Sequence, residues 1–254
     1  MTAPAADIIL EAEQLSKSFG GFAAVKRVDL RVKRGSIHAL IGPNGAGKTT
    51  CFNLLTKFLQ PTGGTIRFNG RDITRLAPAE IARQGLVRSF QISAVFPRLS
   101  ALENVLVALQ RRRGDSFDFW RPLRVLGRFD DDAMRRLDQV GLADYARHPA
   151  GELSYGRKRA LEIATTLALE PELLLLDEPM AGMGQEDISR TAALIRRIAA
   201  TRTILMVEHN LSVVAELSDR ITVLARGEVL AEGAYAEVAG DARVIEAYIG
   251  VDHG

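Results

Sequence analysis

Three short apolar runs, each followed by polar residues, dominate the hydrophobic pattern of the chain. They are "SIHALIG" (36–42), "LLLLDEP" (173–179) and "TILMVEH" (203–209). Runs of this length bounded by turn residues are typical of buried strands. Segments with helical periodicity separate them, which predicts a mostly parallel sheet covered by helices. Because ligands of open α/β sheets bind at the carboxyl ends of the strands, the polar residues after these runs are the first functional candidates.

Two further patterns divide the chain. The segment "TGGTIRFNGRDI" (62–73) predicts an antiparallel hairpin arm, with Gly63-Gly64 and Asn69-Gly70 as turn signals. Residues 98–170 are helix-patterned, rich in arginine and poor in β-branched runs, which indicates a helical insertion into the α/β core. We therefore predict one domain over residues 8–254, made of a core lobe (8–97 and 171–236), a helical subdomain (98–170) and a C-terminal tail (237–254).

Composition narrows the class of protein without naming a function. The chain has 254 residues, 47% of them hydrophobic and 25% charged, which is the balance of an ordinary globular protein. Its net charge of +2 is too close to zero to favour nucleic acid or an anionic membrane. The single cysteine, Cys51, excludes an internal disulfide. Neither a secretory signal nor an apolar run of about 18 to 20 residues is visible, so we expect any membrane crossing to be made by another subunit.

The segment "GPNGAGKTT" fits the phosphate-loop pattern G-x-x-x-x-G-K-[ST], and it lies between a predicted strand and a predicted helix. Its glycines allow backbone N–H groups to surround phosphate oxygens, and the helix N-terminus adds a positive dipole end. Lys48 should reach the β- and γ-phosphates, and the Thr49 hydroxyl should hold Mg²⁺. The predicted nucleotide-binding residues are Gly42, Pro43, Asn44, Gly45, Ala46, Gly47, Lys48, Thr49 and Thr50.

Two carboxylates end the apolar run 173–176 and predict hydrolysis. Asp177 stands at the strand end, where it can hold Mg²⁺ through water. Glu178 follows and points elsewhere, in place to orient or deprotonate an attacking water. Kinases, GTPases and many ATPases share the phosphate loop. Two carboxylates with separate roles favour hydrolysis over transfer to a bound acceptor.

Two more residues are weaker candidates when taken alone. His209 follows the apolar run 203–207 at the same predicted edge of the sheet, where it could donate to the γ-phosphate. A lone histidine is more often structural, and only its place at a strand end favours function. Gln91, in "VRSFQIS", carries little weight by itself.

Taken together, these segments resemble the motifs of the ATP-binding subunit of an ABC transporter, in the same order and at similar spacing. "GPNGAGKTT" is similar to Walker A, "FQ" to the Q-loop, "LSYGR" to the signature, "LLLLDEP" to Walker B with the catalytic glutamate, and "VEH" to the switch histidine. The resemblance covers nearly the whole chain. It implies an α/β fold: a P-loop NTPase (RecA-like) core with an antiparallel β arm and an inserted α-helical subdomain. It also implies ATPase activity with ATP and Mg²⁺ as cofactors.

The resemblance implies roles for individual residues. The catalytic residues it implies are Glu178, His209 and Gln91. The Mg²⁺-binding residues it implies are Thr49, Gln91 and Asp177. In such ATPases the signature helix faces the γ-phosphate bound to the other copy, so Ser154 and Gly156 join the ATP-binding set across a head-to-tail homodimer or a heterodimer with a second ABC ATPase.

The signature segment departs from the usual "LSGGQ". Tyr155 and Arg157 replace a glycine and the glutamine, and Gly184 stands where the family usually has Asp or Asn in the D-loop. A tyrosine adopts positive φ only at a cost, so we expect position 155 to be helical. The basic run of Arg157, Lys158 and Arg159 raises the alternative of a nucleic-acid patch. We expect these residues to be solvated or paired, with Glu162 four residues after Lys158, so that no nucleic acid is bound.

Further segments resemble the branched-chain (hydrophobic) amino-acid uptake family, and within it the longer of two paired ATPase subunits. They include "LSKSFGGFAAV", "VFPRLSALENV", "EPMAGMGQED", "VEHNLSVV" and the terminal "VIEAYIG". Phe19 stands where that family has an aromatic residue that stacks on adenine, with Phe22 as the nearby competitor. The resemblance implies integral-membrane permease subunits as partners, a periplasmic substrate-binding protein as an indirect one, and a cytoplasmic location on the inner face of the cell membrane.

The sequence leaves open the conformation of one segment and the choice among several functions. The insert after Ala108, "LQRRRGDSFDFWRPLRVLGRF", holds Trp120 within a pattern of apolar residues and arginines. This pattern indicates either a basic amphipathic helix near lipid or a helix packed on the helical lobe. An export or lipid-transport ATPase and a soluble cofactor-assembly ATPase share the motif set. A DNA-repair ATPase would need a long coiled coil between the Walker motifs, and no heptad pattern is present there.

Overall fold

The computed structural model describes residues 7–89, 95–113 and 129–249. Its strands are β1 (Ile8–Phe19), β2 (Phe22–Lys33), β3 (Ile37–Ile41), β4 (Gly63–Phe68), β5 (Arg71–Asp72), β6 (Leu86–Arg88), β7 (Leu173–Asp177), β8 (Thr203–Val207), β9 (Arg220–Ala225) and β10 (Glu228–Gly233). Its helices are α1 (Lys48–Leu55), α2 (Pro78–Arg83), α3 (Ala101–Arg113), α4 (Asp130–Gln139), α5 (Tyr155–Leu167), α6 (Gln185–Ala199), α7 (Leu211–Leu217), α8 (Tyr235–Ala239) and α9 (Ala242–Ile249).

A six-stranded sheet in the order β10-β9-β3-β8-β7-β6 forms the centre of the molecule. Strand β3 pairs in parallel with β8 and β9, and β7 pairs in parallel with β8 and β6; only β10 runs antiparallel, against β9. Strands β3, β7 and β8 are buried along nearly their whole length, because both faces of the sheet are covered. The prediction of a mostly parallel sheet from the three apolar runs is confirmed.

The side chains of β7 show how the sheet separates two apolar cores. Leu174 and Leu176 pack with helices α3, α4, α5, α6 and α7 on one face. Leu173 and Leu175 pack with β1, β2, β4 and α1 on the other. Successive side chains of a strand point to opposite faces, so one run of leucines serves both cores.

The second sheet is antiparallel, in the order β2-β1-β4-β5. Asn69 and Gly70, at φ of 50° and 73°, form the tight turn between β4 and β5, as predicted. The prediction of a turn at Gly63-Gly64 is wrong, because both residues begin β4. Gly64 has φ of 84°, and a Cβ there would lie 2.4 Å from the carbonyl oxygen of Gln14. Glycine is required at this position for a close strand approach at an irregularity of the β1–β4 pairing.

The described residues between 98 and 170 contain no strand and form α3, α4, α5 and two 3₁₀ turns, Ala143–Tyr145 and Ala150–Glu152. Helix α4 begins with three aspartates and has Arg136 in its last turn, a charge order that suits the helix dipole. Leu137 on α4 and Leu161 on α5 are fully buried between the helices. This confirms the helical insertion. In the ranges given above, no helix is both long enough and apolar enough to span a bilayer.

Candidate functional site

The site is built at the carboxyl ends of three neighbouring strands. The order β3-β8-β7 sets Leu40 beside Val207, and Val207 beside Asp177. The phosphate loop begins at Gly42, directly after β3, and α1 begins at its Lys48. Glu178 follows β7, and His209 comes two residues after β8. One edge of the sheet therefore carries the loop, the two carboxylates and the histidine.

Close backbone contacts explain two of the three glycines of the phosphate loop, Gly42 and Gly47. Gly42 has φ of 148°, and a Cβ there would lie 2.1 Å from the carbonyl oxygen of Leu224. Gly47 has φ of 100°, and a Cβ there would lie 2.6 Å from the carbonyl oxygen of Ala24. The N–H of Gly227 also donates to the Ala46 carbonyl at 3.0 Å. Ala46 is buried, Pro43 and Thr50 are half-buried, and the exposed members of the loop are Asn44, Gly45 and Thr49.

The ammonium of Lys48 points back into the phosphate loop, towards the first two residues of the loop. It donates to the carbonyl oxygens of Gly42 at 2.7 Å and Pro43 at 3.0 Å. Burial lowers the pKa of Lys48, and the nearby carboxylate of Glu178 acts in the opposite direction. A charged donor held at the centre of the loop is suited to phosphate oxygens.

Glu178 and His209 face each other across adjacent strand ends. His209 Nδ1 and Glu178 Oε1 are 3.5 Å apart, and both side chains are about half exposed. Glu178 has φ of 44°, a left-handed conformation that costs energy in a non-glycine residue. Its N–H donates to the Val207 carbonyl at 2.9 Å, which fixes the turn. The positive φ turns the chain sharply after Asp177.

A buried carboxylate that was not predicted from the sequence stabilises this edge. Glu208 is 1% exposed, and it accepts hydrogen bonds from the N–H groups of Met180 at 3.0 Å, His209 at 2.8 Å and Asn210 at 3.0 Å. It thereby joins the loop after β7 to the loop after β8. Its signal in the sequence was a carboxylate at the end of the apolar run 203–207, directly before His209.

Two arginines hold Asp177, and neither was predicted. Arg88 Nη2 donates to Asp177 Oδ2 at 2.5 Å, and Arg159 Nη2 donates to the Asp177 carbonyl oxygen at 3.0 Å. Arg88 ends β6, and Arg159 lies on α5, so both contacts come from distant parts of the chain. The signature helix is therefore connected directly to the end of β7.

The signature segment has an unstrained local geometry. Ser154 is an exposed N-cap with φ of −60° and ψ of 162°, and Tyr155 is the first residue of α5, as expected for a helical position. The Tyr155 hydroxyl donates to the Ala181 carbonyl at 2.9 Å, in the loop after β7. A Cβ on Gly156 would lie 2.6 Å from Asp187 Oδ1, so a side chain at position 156 would displace the Asp187 carboxylate on α6.

The expected environment of the basic run is wrong in part. Arg159, and not Lys158, is the partner of Glu162: Arg159 Nη1 donates to Glu162 Oε2 at 2.5 Å, three residues apart. Both residues are buried in the helical lobe. Burial raises the pKa of Glu162 to about 7, although Arg159 acts to lower it. The guanidinium of Arg157 stacks on the Tyr145 ring at 4.0 Å.

The adenine candidates lie together at the tip of the β1–β2 hairpin. Phe19 and Phe22 are cross-strand partners, 46% and 71% exposed. The Lys17 ammonium lies 5.1 Å from the Phe19 ring centroid. Ala24, whose carbonyl approaches Gly47, brings this hairpin next to the phosphate loop. The geometry leaves both rings as candidates.

Gln91 and the insert around Trp120 lie outside the described residues.

Comparison with known protein families identifies the class. The family "ABC transporter" matches residues 25–181, and "Branched-chain amino acid ATP-binding cassette transporter" matches residues 228–254. Among solved structures, a nucleotide-free ATP-binding cassette from an ABC transporter is similar at a TM-score of 0.84, with 32% identity over 96% of this chain and 99% of that one. The dimeric cassette MJ0796 is similar at a TM-score of 0.73, with 25% identity over 89% and 98% of the two chains.

The chain therefore belongs to the ABC transporter family, and it is an ATP-binding cassette whose ATP hydrolysis is coupled to transport. More particularly, it belongs to the branched-chain amino acid transport ATP-binding proteins. It is 40% identical to BraF of Pseudomonas aeruginosa over 95% of this chain and 98% of the relative. It is 39% identical to LivG of Escherichia coli (strain K12) over the same shares. Both are described as high-affinity branched-chain amino acid transport ATP-binding proteins. The predicted family and fold class are confirmed.

Proposed function

We propose that this cassette powers the uptake of branched-chain or related amino acids through integral-membrane permease subunits. It would bind them from the inner face of the cell membrane, with a periplasmic substrate-binding protein as an indirect partner. The branched-chain amino acid transport named for BraF and LivG supports this cargo, and so does the branched-chain family match at residues 228–254. The inward direction is proposed from the resemblance of the sequence to the uptake family. The cargo named for these relatives favours amino-acid transport over lipid transport and over cofactor assembly.

One observation carries the chemical part of the proposal. The β3-β8-β7 order brings the phosphate loop to the same edge as the Glu178–His209 pair. In our proposal Lys48 and the loop N–H groups bind the β- and γ-phosphates. Glu178 orients and deprotonates the attacking water, and His209 donates to the γ-phosphate. Gln91 joins them by family resemblance alone.

The donor set at this edge fits Mg²⁺. Thr49 offers an exposed hydroxyl in the first turn of α1, and Asp177 offers a carboxylate at the end of β7. Mg²⁺ prefers oxygen ligands and is usually bound by one or two protein groups together with substrate phosphates and water. When bound, it would neutralise charge on the phosphates. We propose Thr49 and Asp177 as its protein ligands, with Gln91 as the third member by resemblance.

We further propose that a second cassette completes the site. Ser154 is exposed at the N-terminus of α5, where a hydroxyl and the N–H groups of the first helical turn suit a phosphate. Gly156, which has no side chain, would leave room for a phosphate at this end of the helix. The dimeric structure of MJ0796 supports pairing with another copy or with a second ABC ATPase. The head-to-tail arrangement is proposed from the family resemblance of the signature segment. Phe19 would stack on adenine in the subunit's own half of the site.

The test is uptake by the purified complex in proteoliposomes, with ATP inside and the binding protein outside. Labelled leucine, isoleucine and valine should accumulate only with enclosed ATP, and a complex carrying Lys48→Ala should not accumulate them. The matched control is Lys33→Ala, which removes an exposed lysine at the end of β2. ATP-driven efflux, or uptake of an unrelated solute only, would contradict the proposal.

A further inference from the structure

Arg88 and Asp177 form an ion pair at the point where the proposed Mg²⁺ site begins. The distance between Arg88 Nη2 and Asp177 Oδ2 is 2.5 Å, and the two side chains are only 15% and 18% exposed. Asp177 belongs to the ATP site by sequence pattern, whereas Arg88 has no place in the phosphate loop or its neighbouring motifs. The pair joins β6 to β7 through side chains as well as through the backbone ladder.

The guanidinium of Arg88 is fixed by more than this one contact. Its Nη1 donates to Asn53 Oδ1 on α1 at 2.6 Å. Its carbon Cζ lies 5.3 Å from the ring centroid of Phe52 and 5.6 Å from that of Phe58. Contacts at these distances allow a cation–π interaction with each ring. Arg88 therefore connects the helix that follows the phosphate loop with the carboxylate at the end of β7.

Only one oxygen of the carboxylate is used in this way. Within the part of the chain that the structure describes, Oδ2 of Asp177 accepts from Arg88, and no hydrogen bond reaches Oδ1. One oxygen is thus held in place while the other is left for water or a cation. A largely buried carboxylate without a counter-ion would carry a large desolvation cost, which the guanidinium offsets.

We infer that Arg88 is the counter-ion of Asp177. It positions the carboxylate and lowers the affinity of the carboxylate for Mg²⁺. The inference rests on the proposed role of Asp177. A fixed positive charge beside the carboxylate repels a divalent cation, and it also partly neutralises the negative charge of the carboxylate. Mg²⁺ then binds well only when nucleotide phosphates add their own negative charge. Arg88 is a positioning residue, since it acts through Asp177.

The test compares ADP affinity by titration calorimetry in excess Mg²⁺ and in EDTA, so that no hydrolysis enters. The dissociation constant in EDTA divided by that in excess Mg²⁺ measures how much Mg²⁺ contributes to ADP binding. Arg88→Gln removes the charge and should raise this ratio about tenfold or more, the factor typical of a charge-assisted contact. Arg88→Lys keeps the charge and should leave the ratio near that of the wild type. Arg83→Gln makes the same charge change at an exposed position and should do nothing.

Asp177→Asn separates failure of this inference from failure of the proposed function. If Asp177→Asn leaves the ratio unchanged, Asp177 is not a ligand of Mg²⁺, and both the counter-ion inference and the proposed Mg²⁺ site are overturned. If Asp177→Asn lowers the ratio but Arg88→Gln matches the wild type or falls below it, the counter-ion role alone is wrong. A tenfold rise for Arg88→Gln that largely disappears in the Asp177→Asn background supports the inference.

A second measurement needs no ligand. Arg88→Gln should lower the melting temperature by roughly 5 °C, because it leaves a mostly buried carboxylate unpaired. Adding Asp177→Asn should recover at least half of that loss, because the double variant has no charged group left unpaired at this place. Should Arg88→Gln fail to fold, the double variant must still fold. Additive losses, or an unfolded double variant, would overturn the counter-ion role.

Discussion

His209 and Glu178 meet across two neighbouring parallel strands, with 3.5 Å between His209 Nδ1 and Glu178 Oε1. The relationship follows from the sheet register, which sets Asp177 beside Val207. The residues after those two positions must then share one edge of the sheet. A carboxylate and an imidazole at this distance, close to the phosphate loop, can orient a water and contact a phosphate in a single site.

The first prediction concerns nucleotide binding by Lys48. Lys48→Ala should weaken ATP affinity about ten- to hundredfold, because a contact between an ammonium and phosphate oxygens contributes roughly 1.5–3 kcal/mol. The measurement is titration calorimetry, with Lys33→Ala as the exposed control. Unchanged affinity in Lys48→Ala would mean that the loop does not hold the phosphates.

The second prediction compares two glycines of the same loop. Gly42→Ala should lower the free energy of unfolding by about 3 kcal/mol or more, since its Cβ would overlap a backbone oxygen and its φ is left-handed. Gly45 also has positive φ, but a Cβ there meets nothing within 4 Å. Gly45→Ala should therefore cost only about 1 kcal/mol. Urea denaturation without nucleotide gives both values, and equal losses would contradict the predicted clash.

The third prediction is a pH dependence caused by Glu162. Burial raises its pKa from 4.5 to about 7, so the folded protein keeps a proton that the unfolded chain has lost in this interval. The stability from protonated Glu162 is complete below about pH 4.5 and is lost as the pH rises to about 7, by up to about 3 kcal/mol.

Denaturation of wild type and Glu162→Gln between pH 4.5 and 8 checks this dependence. Glu162→Gln should show a flatter pH profile over that interval, because its neutral side chain does not titrate. The exposed Glu152→Gln serves as the control and should follow the wild type. A parallel profile for Glu162→Gln would assign the pH dependence to other groups.

The strand positions and the edge that carries the site could be predicted because they depend on local patterns. Apolar runs at 36–42, 173–179 and 203–209 carry the strand period, and parallel strands end at a common edge. The helical lobe followed from a change of composition at 98–170. Gly64 was misinterpreted because a glycine pair is compatible both with a turn and with a close strand approach.

The ion pairs could not be predicted, because they depend on which surfaces come together in the folded chain. Arg88 and Asp177 are 89 residues apart, and no local pattern connects β6 with β7. On α5, both the three-residue and the four-residue spacing can bring charges together. Packing of the helical lobe buries Arg159, and this burial decides in favour of its pairing with Glu162.

The fourth prediction tests the composite site. Ser154→Arg places a long side chain at the exposed N-terminus of α5 and leaves the subunit's own phosphate loop unchanged. ATP affinity of the isolated subunit should therefore survive, while turnover and ATP-driven dimerisation are lost. Thr201→Arg, an exposed change at the opposite edge of the sheet, should retain both activities. Loss of ATP binding by isolated Ser154→Arg subunits would place this segment in its own nucleotide site and contradict the head-to-tail arrangement.

The most direct test of the account is ATP binding and phosphate release measured on the same preparation of Glu178→Gln. The substitution keeps the size of the side chain and leaves Asp177 and the loop intact, but it removes the base. Bound ATP should remain at the wild-type level while phosphate release falls at least about 10²-fold, and an ATP-stabilised dimer should appear on size-exclusion chromatography. Near-normal phosphate release would contradict the account, and His209 would become the next candidate for the base.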